Sequence, residues 1–225
     1  MLRVLLFSVV LYTSFPMVAQ EMSGKIDYNM YYDTREFFQS TILTSVQFTD
    51  RLSYFSMANF NGNHEQLDVA NLYMEHNLRF QIIPALDFAA QYDIISNDHN
   101  DKIRLGIRVK ANQINGISDF LKKINFFYSA SIYIANWSYS EKGPVMFNQI
   151  EHAYRLNLLK GKIYLSGFAD QNFIDKSLKT EYVTEHQLGI KLYKAFYAVA
   201  EYRYHDYMAQ KEGVGIGLEY VVDFN

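Results

Sequence analysis

The chain has 225 residues, with 21 Lys and Arg against 24 Asp and Glu, a formal net charge of −3, and no cysteine. The lack of cysteine excludes a disulfide scaffold and a lipid anchor attached through cysteine, and the slightly acidic balance gives no sign of nucleic-acid binding. Aromatic residues make up 16% of the chain, including 19 Tyr and 17 Phe, which is typical of membrane β-barrels with their aromatic girdles.

Residues 1–19 have the pattern of a secretory signal peptide. Arg3 supplies a positive charge, and residues 4–12 form an apolar stretch that is too short to cross a bilayer as a helix. Ala19 offers a small residue at the expected cleavage site before Gln20. We therefore expect residues 1–19 to be removed on export and residues 20–225 to form one mature domain. A buried first helix is the alternative.

Strict alternation of apolar and polar residues recurs along the mature chain. Between Lys102 and Asn112 every even position is cationic, Gly or Asn, and every odd position is apolar. A period of two fits a β-strand with different surroundings on its two faces, and it does not fit a helix. Segments of this kind predict about twelve strands, near residues 25–34, 38–49, 52–61, 69–82, 87–96, 102–113, 124–138, 147–159, 162–171, 180–193, 195–205 and 213–224.

The predicted connections alternate between short and long. This alternation, together with strands of about ten residues or more, is typical of outer-membrane barrels with short turns on the periplasmic side. The segment 113–123 is an exception, because it falls on the short side yet is long, and residues 117–123 could form a helical turn. The short connections are predicted at residues 49–51, 83–86, 160–162 and 193–195, and the longer ones at 61–68, 96–101, 140–145, 172–179 and 206–212.

These features predict an all-β fold, a transmembrane antiparallel up-and-down β-barrel of about twelve strands, located in the bacterial outer membrane after export. The apolar faces would meet lipid and the polar faces would line the lumen. Large residues fill the apolar faces along their whole length, and charges of both signs stand at mid-strand on the polar faces, which favours this arrangement. A secreted or periplasmic sandwich, or a soluble ligand-binding barrel, would turn the faces the other way.

The predicted inward face carries many charged residues. The strand at 102–112 follows one with Asp87, Gln91 and Asp93 on a single face, so antiparallel pairing should bring opposite charges together. Ion pairs that brace a narrow lumen are favoured over solute contact for each residue. The expected inward cations are Arg79, Lys102, Arg104, Arg108, Lys110, Arg155, Lys191 and Arg203, and the expected anions are Asp27, Asp33, Glu75, Asp87, Asp93, Glu151, Glu185, Glu201, Glu219 and Asp223.

A smaller set of inward residues forms the candidate solute site. Gly106, between Arg104 and Arg108, is expected to leave room for a solute or for a neighbouring side chain. The inward aromatic residues could stack on a planar solute or could fill space; they are Tyr31, Tyr73, Phe127 and Tyr133. The candidate lumen residues are Glu75, Arg79, Asp93, Arg104, Arg108, Lys110, Tyr133, Arg155, Glu185, Glu201 and Arg203.

Three segments resemble strands of the Tsx-like outer-membrane barrels. Residues 165–170 read LSGFAD, residues 72–80 contain Y-x-E followed by L-x-F, and residues 54–60 form the aromatic stretch that precedes them. The resemblance covers most of the mature chain as an ordered series and implies a monomeric barrel of twelve strands. It also implies a nucleoside-specific channel, whose lumen binds nucleosides by aromatic and polar contacts. The matched motif positions are Glu75, Phe168 and Asp170.

We therefore expect a channel for small hydrophilic solutes, nucleosides among them, with no cofactor, no metal site and no catalytic residue. Its expected partners are outer-membrane lipid, the solute and the barrel assembly machinery, with no nucleic acid. A structural barrel without transport is one alternative, although the short loops leave little surface for adhesion.

The other alternative is a barrel enzyme that acts on lipid, such as a deacylase or phospholipase. Such an enzyme needs a Ser, a His base and an orienting acid. None of the six His is followed by Ser two positions later, and they are too dispersed for a metal site. His76, His152 and His186 share the apolar parity, so we expect them to face lipid near the membrane interface.

Overall fold

A computed structural model describes residues 22–63, 69–96, 101–138, 147–174 and 179–225. Its strands close into one antiparallel barrel of twelve, in which each strand pairs with its neighbours in sequence and β1 pairs with β12. The predicted signal peptide lies outside the described residues. The strands are β1 Ser23–Asp33, β2 Phe37–Gln47, β3 Leu52–Asn63, β4 Val69–Ile83, β5 Leu86–Ile95, β6 Lys102–Lys110, β7 Phe126–Ser138, β8 Phe147–Leu158, β9 Ile163–Ile174, β10 Lys179–Tyr193, β11 Phe196–His205 and β12 Glu212–Phe224.

The all-β barrel is therefore confirmed, and each predicted strand matches an observed one to within a few residues. We call the end of the barrel with the connections 84–85 and 194–195 the turn end, and the opposite end the loop end. The strands that meet at closure, β1 and β12, have Ser23 and Phe224 at the turn end, where Gly24 pairs with Phe224. A side chain at position 24 would collide with the Phe224 ring, so glycine permits this contact.

The end of β6 differs from its predicted boundary, because the strand stops at Lys110 and not at residue 113. The Asn112 side chain provides the reason, since it donates to the Phe126 carbonyl (2.6 Å) and accepts from the Tyr128 amide (2.9 Å). These bonds replace the strand ladder, and Ala111–Gln113 turns as a 3₁₀ helix.

The predicted helical turn is present as α1, Ser118–Lys123, at the turn end. Leu121 is buried, whereas the Phe120 side chain of the same helix is 62% exposed. No helix in the described ranges is long and apolar enough to cross a membrane.

The barrel is apolar on its outside and polar on its inside. On β12, Ile216 and Leu218 are 68% and 55% exposed, whereas Gly215 and Glu219 on the other face are buried. A water-soluble protein would bury such a row of large apolar side chains. The faces therefore follow the membrane arrangement and not that of a soluble sandwich. Among the expected inward anions, Asp223 lies on the inward parity but at the turn-end rim, where it is exposed.

Aromatic side chains gather on the outer face near the turn end. The Phe126 ring lies 6.4 Å from Tyr128 and 6.1 Å from Tyr154, and the Phe196 and Tyr220 rings lie 4.7 Å apart. Tyr and other aromatic residues favour the boundary between hydrocarbon and water, because one end of the side chain is apolar and the other is polar. This group has the character of a membrane girdle.

A β-bulge interrupts the pairing of β6 with β7. Leu105 pairs with Ala135 and Gly106 with Tyr133, which makes Ile134 the extra residue of the bulge. A Cβ at position 106 would overlap the Ile132 carbonyl group. The expectation that Gly106 makes room for a solute or a side chain is therefore wrong, since the space is occupied by the neighbouring backbone.

The bulge predicts that Gly106→Ala destabilises the barrel. Because the added methyl group meets backbone atoms that cannot rotate away, we expect a loss of about 1–3 kcal/mol in the free energy of unfolding. Urea titration in lipid vesicles, with folded protein scored by its gel mobility, measures this loss. Gly215→Ala is the control, because its Cβ would lie 3.2 Å from Tyr31 Cβ and should be tolerated better. Equal losses in the two variants would contradict the account.

Candidate functional site

The barrel encloses a cavity of about 340 Å³. Several strands contribute side chains to its wall, because inward residues of neighbouring strands lie side by side in a closed sheet. The sequence-predicted candidates that line the cavity are Glu75, Arg79, Arg108, Arg155, Glu185 and Glu201. The other candidates make contacts within the wall; they are Asp93, Arg104, Lys110, Tyr133 and Arg203.

The opposition of charges between β5 and β6 is confirmed by the strand register, in which Asp87 pairs with Arg108 and Asp93 with Lys102. Arg104 forms an ion pair with Asp93, diagonally across the two strands, and both side chains are almost completely buried. Such a pair braces the wall, because each charge would be costly to bury alone.

Two cations share the carboxylate of Asp87 near the turn end. Arg108 donates to Asp87 Oδ2 from Nε at 2.9 Å, and Lys110 Nζ lies 2.7 Å from Asp87 Oδ1. Lys110 also donates to Gln81 Oε1 at 3.0 Å. Arg108 thus both lines the cavity and braces the wall, whereas Lys110 serves only the wall contacts.

A second brace lies toward the loop end around Arg203, which is fully buried. Arg203 donates to Glu201 and to Gln39, and its Nη1 lies 3.3 Å from Asp33 Oδ2. Asp33 also accepts two hydrogen bonds of 2.8 Å from Arg35. This network ties β11 to β1 and β2, and it neutralises charges that face the barrel interior.

Tyrosines fill much of the remaining interior. Tyr133 is completely buried and donates to Asn77 Oδ1 at 3.0 Å, which links β7 to β4 across the lumen. Tyr31 donates to Gln187 Oε1 at 2.9 Å and also lines the cavity. Tyr73 donates to Glu75 at 3.1 Å. Phe127 keeps the inward parity, but it is 53% exposed and is not part of the cavity wall.

Three carboxylates on the cavity wall have no basic partner within ion-pair distance in the described part of the chain. Glu75 accepts hydrogen bonds from Asn77 and Tyr73, and Glu151 accepts one from Ser131 at 3.2 Å. Asp170 Oδ1 is buried without a hydrogen-bond partner. Glu151 and Asp170 stand directly opposite each other on β8 and β9, which is unfavourable for two like charges.

Two arginines on the same cavity wall likewise have no carboxylate partner among the described residues. Arg155 donates to Asn157 at 3.0 Å and lies 3.9 Å from the centre of the Tyr164 ring. Arg79 lies over the Phe55 ring, and its Nε is buried without a hydrogen-bond partner.

These unpaired charges form two layers along the barrel axis. On β4, Glu75 precedes Arg79 by four residues on the inward face, and on β8, Glu151 precedes Arg155 by the same interval. Both strands run from the loop end to the turn end, so the carboxylates lie toward the loop end and the arginines toward the turn end. Four residues of strand correspond to roughly 13 Å.

The uncharged wall of the cavity, formed by β2 and β3, was not predicted from the sequence. Thr41, Leu43, Phe55 and Met57 line this side. Both faces of β3 mix apolar and polar residues. The difference in polarity between the two faces, which identified the inward face of other strands, is therefore weak in β3. The motif positions Phe168 and Asp170 do line the cavity, together with Glu75.

The outward histidines are each paired with a tyrosine. His76 forms a hydrogen bond of 2.6 Å with Tyr54, and His152 forms one of 2.7 Å with Tyr128. His186 does the same with Tyr154 at 2.8 Å. They lie at mid-strand and not near the interface as expected, and the tyrosine bonds satisfy polar atoms where lipid offers none. Among the described residues, no group of three or more His, Asp or Glu side chains is arranged to bind a metal ion.

A comparison with models of protein families found no match, and a comparison with curated proteins found none either. Among solved structures, the NanC porin gives a TM-score of 0.58 at 7% identity, with 87% of this chain and 98% of that chain covered. The KdgM porin gives a TM-score of 0.54 at 11% identity, with the same coverage. At these identities the likeness shows a shared barrel fold. Membership of the Tsx-like family stays a sequence resemblance.

The brace between β5 and β6 predicts a large effect for Arg104→Ala. The substitution leaves the Asp93 carboxylate, 1% exposed, without its cation, so we expect a loss of roughly 3–5 kcal/mol in the free energy of unfolding. Arg108→Ala is the matched control on the same strand, and its loss should be smaller because Asp87 keeps Lys110. Adding Asp93→Ala to Arg104→Ala should restore part of the stability. Urea titration in vesicles gives all three values, and equal losses for the two arginines would refute the assignment.

Proposed function

We propose that this protein is an outer-membrane channel for small hydrophilic solutes. The observation that carries the proposal is a cavity of about 340 Å³ with charged walls, enclosed by a barrel whose outside is apolar. A charged interior is costly unless water or a solute reaches it. A barrel that only anchored itself in lipid would have no need of unpaired charges at its centre.

The proposed location is the outer membrane, reached by export after removal of residues 1–19 and insertion by the barrel assembly machinery. The outer apolar band, the aromatic girdle at the turn end and the fold shared with the two porins support this location. The turn end would face the periplasm, as short turns do in such barrels. The closed barrel leaves no sheet edge for a second copy, which supports a monomer.

Nucleosides are the solutes to test first within this proposal. The resemblance to Tsx-like barrels suggests them, and Phe55, Phe168 and Tyr31 line one cavity with polar groups close by. Aromatic side chains bind planar bases by stacking, at about 1–3 kcal/mol per base.

Catalysis on lipid is disfavoured by the partners of the lipid-facing histidines. A hydrolase would need a serine within hydrogen-bond reach of one of these imidazoles. His76, His152 and His186 bond to tyrosines instead, and a tyrosine in that position does not provide the acyl-accepting hydroxyl of a serine triad.

The channel proposal is tested by liposome swelling and planar-bilayer conductance with purified protein. We expect folded protein to admit small solutes, and to admit nucleosides faster than sugars of equal size. Ala153→Trp, which fills the cavity from its wall, should reduce conductance severalfold because the passage is narrow. Leu188→Trp, on the outward face and 41% exposed, is the control and should conduct normally. Absence of permeation by any solute would refute the channel, and equal rates for nucleosides and sugars would refute only the nucleoside preference.

A further inference from the structure

The unpaired charges in the cavity differ from the carboxylates that brace the wall. Asp93, Asp87 and Asp33 each have a cation within ion-pair distance. The carboxylates that brace the wall are therefore neutralised by neighbouring cations, whereas the unpaired charges of the cavity are not. Glu151 and Arg155 share a strand face and a cavity, yet they are held apart by their positions four residues from each other.

The two layers are complementary to one kind of ligand. The guanidinium groups of Arg79 and Arg155 can donate to a carboxylate, and Arg matches a carboxylate with two parallel hydrogen bonds. The carboxylates of Glu75, Glu151 and Asp170 can accept from an ammonium group, which carries three donors. A ligand that spans both layers must carry one group of each sign.

We propose that the channel favours zwitterions among solutes of the size of a short peptide. The solute carboxylate lies toward Arg79 and Arg155, and its ammonium group lies toward Glu75, Glu151 and Asp170. This selectivity rests on the proposed channel function and adds the class of solute to it.

The uncharged wall of the cavity fits the same solute class. Leu43, Phe55 and Met57 face the charged wall from β2 and β3. A peptide or amino acid carries a variable side chain, and an apolar wall accepts such side chains without demanding a particular hydrogen bond. A solute of single charge would be repelled by one of the two layers, which adds discrimination against simple anions and cations.

Four solutes of nearly equal size isolate the charges. They are glycylglycine, N-acetylglycine, glycylglycinamide and N-acetylglycinamide, which carry both charges, the carboxylate alone, the ammonium alone and neither. Liposome swelling with purified wild-type protein measures their rates. We expect glycylglycine to enter on the order of tenfold faster than the neutral compound, the factor given by about one net charge-assisted hydrogen bond. The two singly charged compounds should fall between.

Two substitutions separate the layers. Arg155→Gln should lower the rates of the two solutes that carry a carboxylate, relative to those that do not. Glu151→Gln should lower the rates of the two that carry an ammonium group. Arg51→Gln is the control for net charge, since Arg51 lies exposed in the turn between β2 and β3, and it should leave the order of rates unchanged. Heat-dependent gel mobility establishes that each variant is folded, and the wild-type series decides the matter even where a variant is not.

The outcomes distinguish this inference from the channel itself. The inference is supported if glycylglycine enters fastest, if Arg155→Gln slows the solutes that carry a carboxylate, and if Glu151→Gln slows those that carry an ammonium group. Equal rates for the four solutes, or a singly charged solute that is fastest, overturns it and leaves the channel intact. No swelling with any solute overturns the channel and the inference together.

Discussion

The rest of the structure depends on one constraint, that each backbone amide and carbonyl in the sheet needs a partner where the surroundings offer none. Lipid cannot supply hydrogen bonds, so a membrane sheet must close on itself. Closure joins β1 to β12 and gives every strand one face to the outside and one to the lumen. The alternation of apolar and polar residues between Lys102 and Asn112 follows from these two different surroundings.

Arginines in the barrel interior have two different roles. Arg104 and Arg203 form ion pairs with neighbouring carboxylates and so stabilise the wall. Arg79 and Arg155 face open space with no such neighbour among the described residues. Because an ion pair is close to neutral at a distance, Arg79 and Arg155 are the arginines best placed to act on a solute in the proposed channel. Position along the strand, and not residue type, decides which role each one has.

Much of the fold could be predicted from the sequence, because a period of two is a local property that needs no knowledge of distant contacts. The opposition of Asp87 to Arg108 was also predictable, since β5 and β6 are adjacent in sequence. The early end of β6 was not, because it depends on bonds between Asn112 and β7. The bulge at Gly106 was missed for the same reason, because it depends on the register between β6 and β7. The wall containing Phe55 was missed because the two faces of β3 differ little in polarity.

The pairing of Gly24 with Phe224 has a consequence for how the barrel forms. Every other pairing in the described sheet joins strands that follow one another in the chain, whereas this one joins residues at its two extremes. Bringing such distant segments together is slow, because chain entropy must be given up first. Until β12 pairs with it, one edge of β1 has no hydrogen-bond partners. The contact of the Phe224 ring with Gly24 therefore lies at the seam of the barrel, the pairing that closes the longest stretch of chain.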